Sequence, residues 1–242
     1  MYMKKEALYK DFAKYYDLIY SFKDYKREVD ELNKIISKYK KSSENDLLEV
    51  GCGSGKHLYY FKDKFDCVGI DVNKGVLNLA RRNIKGVNFK HANMVNFSLD
   101  KKFDVITCLF SSIGYVKNYS NLKKTIEGFS KHLKKGGLVI IEPWFTKDSI
   151  RPGKPHMHTY NSENLKIARI IMVEIKKDIS ILNMHFLVGE KDKGVNYFLD
   201  KHELALFSHS KTLDIMKSAG LKASYLKDGL MKDRGLFIGI KQ

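Results

Sequence analysis

Apolar positions along residues 1–145 follow two alternating periods. Residues 25–39 carry apolar side chains at helical spacing, and the same reasoning predicts helices over 55–64, 76–82 and 122–133. Between the helices, strands are predicted over 47–50, 65–71, 86–92, 103–110 and 138–144, with Gly136 and Gly137 ending the helix before the fifth strand. This alternation predicts an α/β fold, a doubly wound Rossmann-like sheet with a mostly parallel core.

The pattern changes after residue 145. Three long stretches with strand character, 165–176, 179–188 and 195–207, are separated only by hairpin-like sequences, which predicts an inserted three-stranded antiparallel sheet. A short helix over 213–219 and two final strands follow, so that a reversed C-terminal strand completes the core. The predicted organisation is a lid and first helix (1–45), an α/β core (46–145), the inserted sheet (146–208) and a C-terminal segment (209–242).

The inserted sheet contains more apolar residues than one buried face requires. This excess predicts a homodimer built partly on that sheet. The residues concerned are Ile170, Met172, Ile179, Ile181 and Phe186.

Composition narrows the class of protein. Lys plus Arg total 44 against 28 Asp plus Glu, a net charge of +16, which favours an anionic partner or indicates a lysine-rich solvated surface. The three cysteines form neither a metal-binding pair nor an even disulfide framework, which is typical of a cytoplasmic protein. We see no secretory leader and no apolar run long enough for a membrane span.

A glycine-rich loop follows the first core strand, in the stretch LLEVGCGSGKH (47–57). In open α/β sheets, ligands bind beyond the carboxyl ends of the strands, so this loop is placed to hold a cofactor. Its spacing matches neither a phosphate-binding loop nor the dinucleotide fingerprint. Asp71, at the end of the second strand, offers a carboxylate that can accept hydrogen bonds from both hydroxyls of a ribose.

The pattern E-x-G-x-G-x-G followed by Asp71 resembles the class I S-adenosylmethionine-dependent methyltransferases, over about residues 45–145. The resemblance implies S-adenosyl-L-methionine as cofactor. It also implies a cofactor-binding set of Lys23, Glu49, Gly51, Cys52, Gly53, Gly55, Asp71, Val72, Asn93, Met94 and Leu109.

Further motifs sharpen the resemblance and extend it over nearly the whole chain. LFSSIGY (109–115), IEPWF (141–145), KHELALF (201–207) and DRGLFIG (233–239) are similar to segments of the N,N-dimethyltransferases of nucleotide-linked amino-deoxysugars. The chain departs from that family by lacking Gly-Arg-Gly before its KDY and by having Asn93 where the family has Asp. The expected acceptor is a small molecule, the amino group of a nucleotide-linked amino sugar.

The same resemblance implies roles for residues around the acceptor. Tyr115 and Glu142 are expected nearest the amine as catalytic residues, with Trp144 as an aromatic wall and Tyr20 as a lid. Arg169 and Arg234 are expected to bind the diphosphate, since arginine donates bidentate hydrogen bonds to phosphate. His185 and His202 also match the family, but strand alternation favours structural roles for them.

Methyl transfer from a sulfonium to an amine is an in-line displacement that requires alignment and a neutral amine, and no metal is expected. Three alternatives stay open. A methyltransferase for glycine-like or other small amines is one, and a protein that binds the cofactor without chemistry is another. The net charge also suggests an RNA or protein methyltransferase, but no N/D-P-P-Y box follows the fourth strand, and neither nucleic acid nor membrane is an expected partner.

Overall fold

A computed structural model describes residues 3–5, 13–231 and 233–242, so that the predicted lid region (1–45) lies partly outside the described residues. Strands run, in chain order, over β1 (Met3–Lys5), β2 (Asp46–Val50), β3 (Asp66–Asp71), β4 (Asn88–His91), β5 (Phe103–Cys108), β6 (Leu133–Ile141), β7 (His156–Asn161), β8 (Leu165–Lys176), β9 (Ile179–Glu190), β10 (Gly194–Ala205), β11 (Leu221–Leu226) and β12 (Leu236–Lys241). The helices are α1 (Ala13–Ile19), α2 (Tyr25–Tyr39), α3 (Lys56–Phe61), α4 (Lys74–Asn83), α5 (Tyr119–His132) and α6 (His209–Ser218), with a 3₁₀ helix over Ser112–Val116.

Seven strands form the core sheet, in the order β11-β12-β6-β5-β2-β3-β4. The five strands from β2 to β6 run parallel, and β12 pairs antiparallel with β6, which confirms the doubly wound sheet with its reversed C-terminal strand. The order reverses between β2 and β5, so the glycine loop after β2 and the 3₁₀ helix after β5 meet at this switch point.

Helices cover both faces of the core sheet because each buries an apolar stripe. Leu32 of α2 and Leu58 of α3 belong to the apolar cluster on one face, and Phe129 of α5 and Met216 of α6 belong to the cluster on the other. Side-chain caps fix where four of the helices begin, since one oxygen accepts the otherwise unpaired N–H groups of the first turn. These caps are Asp24, Asn73, Asn118 and Ser208.

The second sheet has five strands in the order β1-β10-β9-β8-β7, two more than the inserted sheet predicted from the sequence. The three predicted strands are present as β8, β9 and β10, paired antiparallel. The additional β7 is an edge strand whose side chains are mostly exposed, so its sequence has no alternation of apolar and polar residues that would have predicted a strand. β1 contributes three residues parallel to β10, and a segment so short gives no periodic signal.

Two local expectations are corrected. Gly136 and Gly137 do not end α5, which stops at His132; both lie inside β6, where residues 134–137 bulge between the paired positions Leu133 and Leu138. Phe186 is not part of an outer apolar face, since it is fully buried against the core side of the second sheet. Within the described ranges, the helices lack the combination of length and apolar character that crossing a bilayer requires.

Candidate active site

A cavity of about 520 Å³ lies beyond the carboxyl ends of β2, β3 and β5, and it is closed on its other side by the second sheet. Most residues that the sequence predicted for the site line it: Tyr20, Glu49, Gly51, Cys52, Gly53, Asp71, Val72, Asn93, Met94, Leu109, Tyr115, Trp144, Arg169 and Arg234. Lys23, Gly55 and Glu142 are not among its lining residues.

The glycine loop requires glycine for two different reasons. Gly51, Gly53 and Gly55 all have positive φ, between +54° and +79°, a region that side chains with a Cβ disfavour. A Cβ on Gly51 would also lie 2.8 Å from Cβ of Ser112, so the loop and the 3₁₀ helix approach closely. Gly55 instead is the N-cap residue just before α3. A Cβ there would lie 2.9 Å from Cδ1 of Ile84, so glycine at this position allows close packing.

Two backbone N–H groups orient the carboxylate of Asp71, the residue expected to bind the ribose of the cofactor. One carboxylate oxygen accepts the N–H of Gly53 at 2.9 Å and the other accepts the N–H of Asn73 at 2.8 Å. Burial raises the pKa of Asp71, while these backbone donors act in the opposite direction. A carboxylate has about four acceptor positions, so each oxygen can also accept a ribose hydroxyl, and the residue fits the predicted cofactor.

Four charged side chains form a buried chain beneath the glycine loop. Lys23 Nζ lies 2.5 Å from Glu28 Oε1, Glu28 Oε2 lies 2.8 Å from His57 Nε2, and His57 Nδ1 lies 3.0 Å from Glu49 Oε1. Burial alone would lower the pKa of His57, but the two carboxylates outweigh it and raise this pKa to about 9. The chain is therefore two cations alternating with two anions.

Glu49 lines the cavity, and its second carboxylate oxygen is not used by the ion chain. Oε2 of Glu49 is buried and has no hydrogen-bond partner among the described residues. An unsatisfied buried carboxylate oxygen is costly, and the α-amino group of the cofactor's methionine is a donor that fits it. Sequence reasoning placed Glu49 here but missed Glu28 and His57; the available signal was a single acid on the apolar face of α2.

The segment between β5 and the 3₁₀ helix has a strained backbone. Phe110 and Ser111 have positive φ without being glycine, and Glu142 Oε2 accepts the N–H of Phe110 at 2.7 Å. Ser111 Oγ donates to the carbonyl of Pro143 at 2.8 Å, which ties the segment to the end of β6. The carboxylate of Glu142 is fully buried and supports this segment through Oε2, while its Oε1 has no hydrogen-bond partner among the described residues; contact with the amine stays a prediction.

Two buried arginines line the same cavity. Arg169, on β8, packs over the ring of Tyr20 at 4.8 Å, and neither its Nε nor its Nη1 has a hydrogen-bond partner among the described residues. Arg234 packs over Trp144 at 4.7 Å and donates to Ser111 Oγ at 2.8 Å, while its Nε has no described partner. Buried guanidinium groups with unsatisfied N–H donors indicate an anionic ligand.

A tyrosine, a histidine and an aspartate connect the cavity wall to the second sheet. The hydroxyl of Tyr115 lies 2.7 Å from His202 Nδ1, and His202 Nε2 lies 2.9 Å from Asp200 Oδ2. Asp200 and His202 are almost fully buried on the inward face of β10. Tyr115 was predicted from the sequence as a site residue; its connection to His202 and Asp200 was not.

Helix α1 is attached directly to the glycine loop. Ser54 Oγ donates to Asp17 Oδ1 at 2.7 Å, and Lys56 Nζ lies 3.1 Å from Asp17 Oδ2. Tyr20, at the end of the same segment, meets Phe110 edge to face with ring centroids 5.2 Å apart. These contacts hold Tyr20 in the lining of the cavity, and its lid role stays a prediction.

An acidic cluster lies away from the cavity, at the start of β2. Glu44, Asp46 and Asp104 bring carboxylate oxygens within 4.8 Å of one another. The ammonium of Lys134 contacts all three and lies 2.6 Å from Asp46 and 2.9 Å from Asp104. Lys101 Nζ also lies 2.5 Å from Asp46 Oδ1, so two lysines offset most of the negative charge and the cluster is an ion-pair network.

Comparisons with known proteins agree with the geometry. A family model described as a methyltransferase domain matches residues 47–137. The chain is 30% identical over 233 residues to the dTDP-3-amino-3,4,6-trideoxy-alpha-D-glucopyranose N,N-dimethyltransferase of Streptomyces venezuelae, covering 95% of this chain and 98% of that protein. It is 28% identical to the dTDP-4-amino-2,3,4,6-tetradeoxy-D-glucose N,N-dimethyltransferase of Saccharopolyspora spinosa, covering 96% and 93%. The crystal structure of Streptomyces venezuelae DesVI superposes with a TM-score of 0.90 at 30% identity, covering 96% and 99%.

Proposed function

The chain belongs to the family of N,N-dimethyltransferases that act on nucleotide-linked amino sugars, and we propose that it transfers methyl groups from S-adenosylmethionine to the amino group of a dTDP-linked amino-deoxysugar. The observation that carries the proposal is the single cavity that joins the glycine loop and Asp71 to two buried arginines. The loop and Asp71 suit a cofactor with a ribose and an amino-acid tail, and the arginines suit a diphosphate.

At the cofactor end, three groups of the chain match three parts of the cofactor. Asp71 would accept from the ribose hydroxyls and Glu49 Oε2 from the α-amino group, while the turn at Gly51 leaves room for the methionine tail. The bound cofactor supplies an electrophilic methyl group on a sulfonium. The buried ion chain behind Glu49 keeps its carboxylate in place.

At the acceptor end, Arg169 and Arg234 would bind the diphosphate through their unsatisfied N–H groups. The ring of Trp144 supports the guanidinium of Arg234, and its indole N–H donates to Ser180 Oγ at 2.8 Å, which fixes the ring orientation. Binding the nucleotide at this end orients the sugar so that its amine points toward the glycine loop. Alignment of this kind can lower the activation free energy of a displacement by about 7–11 kcal/mol.

The direct test measures methylation of dTDP-3-amino and dTDP-4-amino deoxysugars in the presence of S-adenosylmethionine, with products identified by mass spectrometry. We expect mono- and dimethylated products from at least one acceptor. The variants R169K and R234K should raise the KM for the sugar nucleotide by about tenfold or more, because a charged hydrogen bond contributes roughly 1.5–3 kcal/mol. Their affinity for the cofactor should stay within twofold of wild type.

Two outcomes would reject the proposed acceptor. Turnover of free amines such as glycine without turnover of any nucleotide sugar would favour a small-amine methyltransferase. Steeply salt-dependent RNA binding with methylated RNA as the product would favour a nucleic-acid enzyme instead.

We also propose that the protein is a cytoplasmic homodimer. Ile170, Leu187 and Tyr197 are 42–50% exposed on the outer face of the second sheet, where strand alternation places them together. Apolar side chains grouped in this way typically mark an interface between protein chains. Cys52, Cys67 and Cys108 are buried free thiols, which suits a reducing compartment.

A further inference from the structure

The Tyr115–His202–Asp200 chain has a defined direction for its protons. Asp200, as a carboxylate, can only accept a hydrogen bond, so Nε2 of His202 carries a hydrogen toward it. In the neutral imidazole the other nitrogen, Nδ1, is then an acceptor. In this tautomer the hydroxyl of Tyr115 donates to His202, and Tyr115 itself lines the cavity.

Two further contacts between the 3₁₀ helix and β10 fix the position of Tyr115 beside His202. Lys117, just after the 3₁₀ helix, lies 2.7 Å from Glu203 Oε2 on β10. Gly114 packs against Leu204 so closely that a Cβ would lie 3.0 Å from its Cδ2. Contacts on both sides of Tyr115 thus hold the 3₁₀ helix against the strand that carries His202.

We propose that His202 and Asp200 are positioning residues that take the proton of the acceptor amine through Tyr115. This inference rests on the proposed function. Methyl transfer uses the nitrogen lone pair to form the N–C bond, the C–S bond breaks, and its electron pair stays on sulfur as a thioether. The nitrogen becomes an ammonium. Its proton passes to the Tyr115 oxygen as the phenolic proton passes to Nδ1 of His202, and Asp200 stabilises the resulting imidazolium.

Such a route matters most for an enzyme that methylates the same nitrogen twice. An alkyl ammonium with a pKa near 10.4 is neutral in only about one molecule in 2,500 at pH 7. The monomethylated ammonium formed in a buried site must lose a proton before it can attack a second methyl group. The imidazolium returns its proton through Tyr115 to water when the cavity opens for exchange of the cofactor.

The test compares Y115F, H202Q and D200N with wild type on unmethylated and monomethylated acceptors. We expect Y115F and H202Q to lower kcat for the second methylation by at least about tenfold, since proton transfer by a positioned group typically contributes 10²- to 10⁴-fold. The KM for the acceptor, from initial rates, and the affinity for the cofactor, from calorimetry, should both stay within twofold of wild type. The monomethylated product should accumulate. D200N should also lower kcat for the second methylation, because an amide can donate as well as accept and so no longer fixes the tautomer in which Nδ1 of His202 accepts the phenolic hydrogen bond.

The chain supplies a matched control for H202Q. His185 on β9 makes a similar bond, with Nδ1 2.8 Å from the hydroxyl of Tyr197, but on the outer face of the same sheet. H185Q should leave both methylation rates unchanged. Values of kcat within twofold of wild type in Y115F and H202Q would overturn the relay while leaving the proposed function intact. Equal losses in kcat, KM and cofactor affinity would assign the three residues a structural role and also overturn it. No turnover by the wild type would overturn both proposals.

Discussion

Replacing His57 by glutamine tests whether the buried ion chain stabilises the cofactor site. The imidazole of His57 lies between Glu28 and Glu49, at 2.8 Å and 3.0 Å, and the residue is 5% exposed. Glutamine keeps a hydrogen-bonding group of similar size but cannot carry a positive charge. The variant H57Q therefore leaves two buried carboxylates with Lys23 as the cation of the chain.

The size of the effect follows from the pKa of His57, about 9 in the folded protein against 6.5 for an unperturbed histidine. A difference of about 2.5 in pKa corresponds to about 3.4 kcal/mol, at 1.36 kcal/mol for each pKa unit. Because the folded-state pKa is raised, this contribution is fully present below about pH 6.5 and is lost as the pH rises through about 9. We therefore expect H57Q to lower the free energy of unfolding by about 3 kcal/mol at pH 6.5, and by less than about 1 kcal/mol at pH 9.5.

The assay is urea denaturation of wild type and H57Q at several pH values between these limits, with the slope of the transition checked for a two-state process. The matched control is L58A, on the same helix and fully buried, which should cost about 2–5 kcal/mol by leaving a cavity. That cost should be the same at every pH, since no charge is removed. A deficit of H57Q that is equally independent of pH would refute the reasoning.

The remaining predictions concern the glycine loop, the ribose site and the outer face of the second sheet. G51A should abolish cofactor binding in calorimetry because a Cβ would meet Ser112. G86A is the control: Gly86 has a similar positive φ, +79° against +72°, but no atom within 4 Å of an added Cβ, so this variant should bind normally. Equal affinities would contradict the assigned role of Gly51. D71N should weaken cofactor binding by at least about tenfold, since one charged acceptor of a ribose hydroxyl is lost, and unchanged affinity would place the ribose elsewhere. L187D should convert a dimer to monomers in sedimentation equilibrium without changing the far-ultraviolet circular dichroism, and a persistent dimer would place the interface on another surface.

The parts of the site that could be predicted are those encoded in contiguous sequence. The glycine loop is readable because positive φ strongly favours glycine, and three glycines spaced two apart after an apolar strand are visible in the sequence itself. Asp71 is readable because the carboxyl end of a parallel strand has a fixed place at the sheet edge. Arg169 was placed by resemblance, and burial with unsatisfied donors supplies the physical reason for an arginine within an apolar strand.

The parts that could not be predicted depend on side chains that meet across the fold. His57 and Glu28 are 29 positions apart, and His202 is 87 positions from Tyr115, so no local spacing relates them. Glu142 was placed at the correct end of its strand, but the sequence could not show that its carboxylate turns inward to the N–H of Phe110.

Three of the buried polar residues, Glu28, Asp200 and His202, share a feature that is visible in the sequence. Each is a charged or hydrogen-bonding residue at a position whose periodicity assigns it to a buried face: Glu28 on the apolar side of α2, and Asp200 and His202 on the inward face of β10. Burying such a group without a partner costs several kcal/mol, so its presence in a stable fold requires a partner from another element. Periodicity therefore reveals that a buried polar network exists, whereas only the topology, by setting β10 beside the 3₁₀ helix and α2 beside α3, determines which residues complete it.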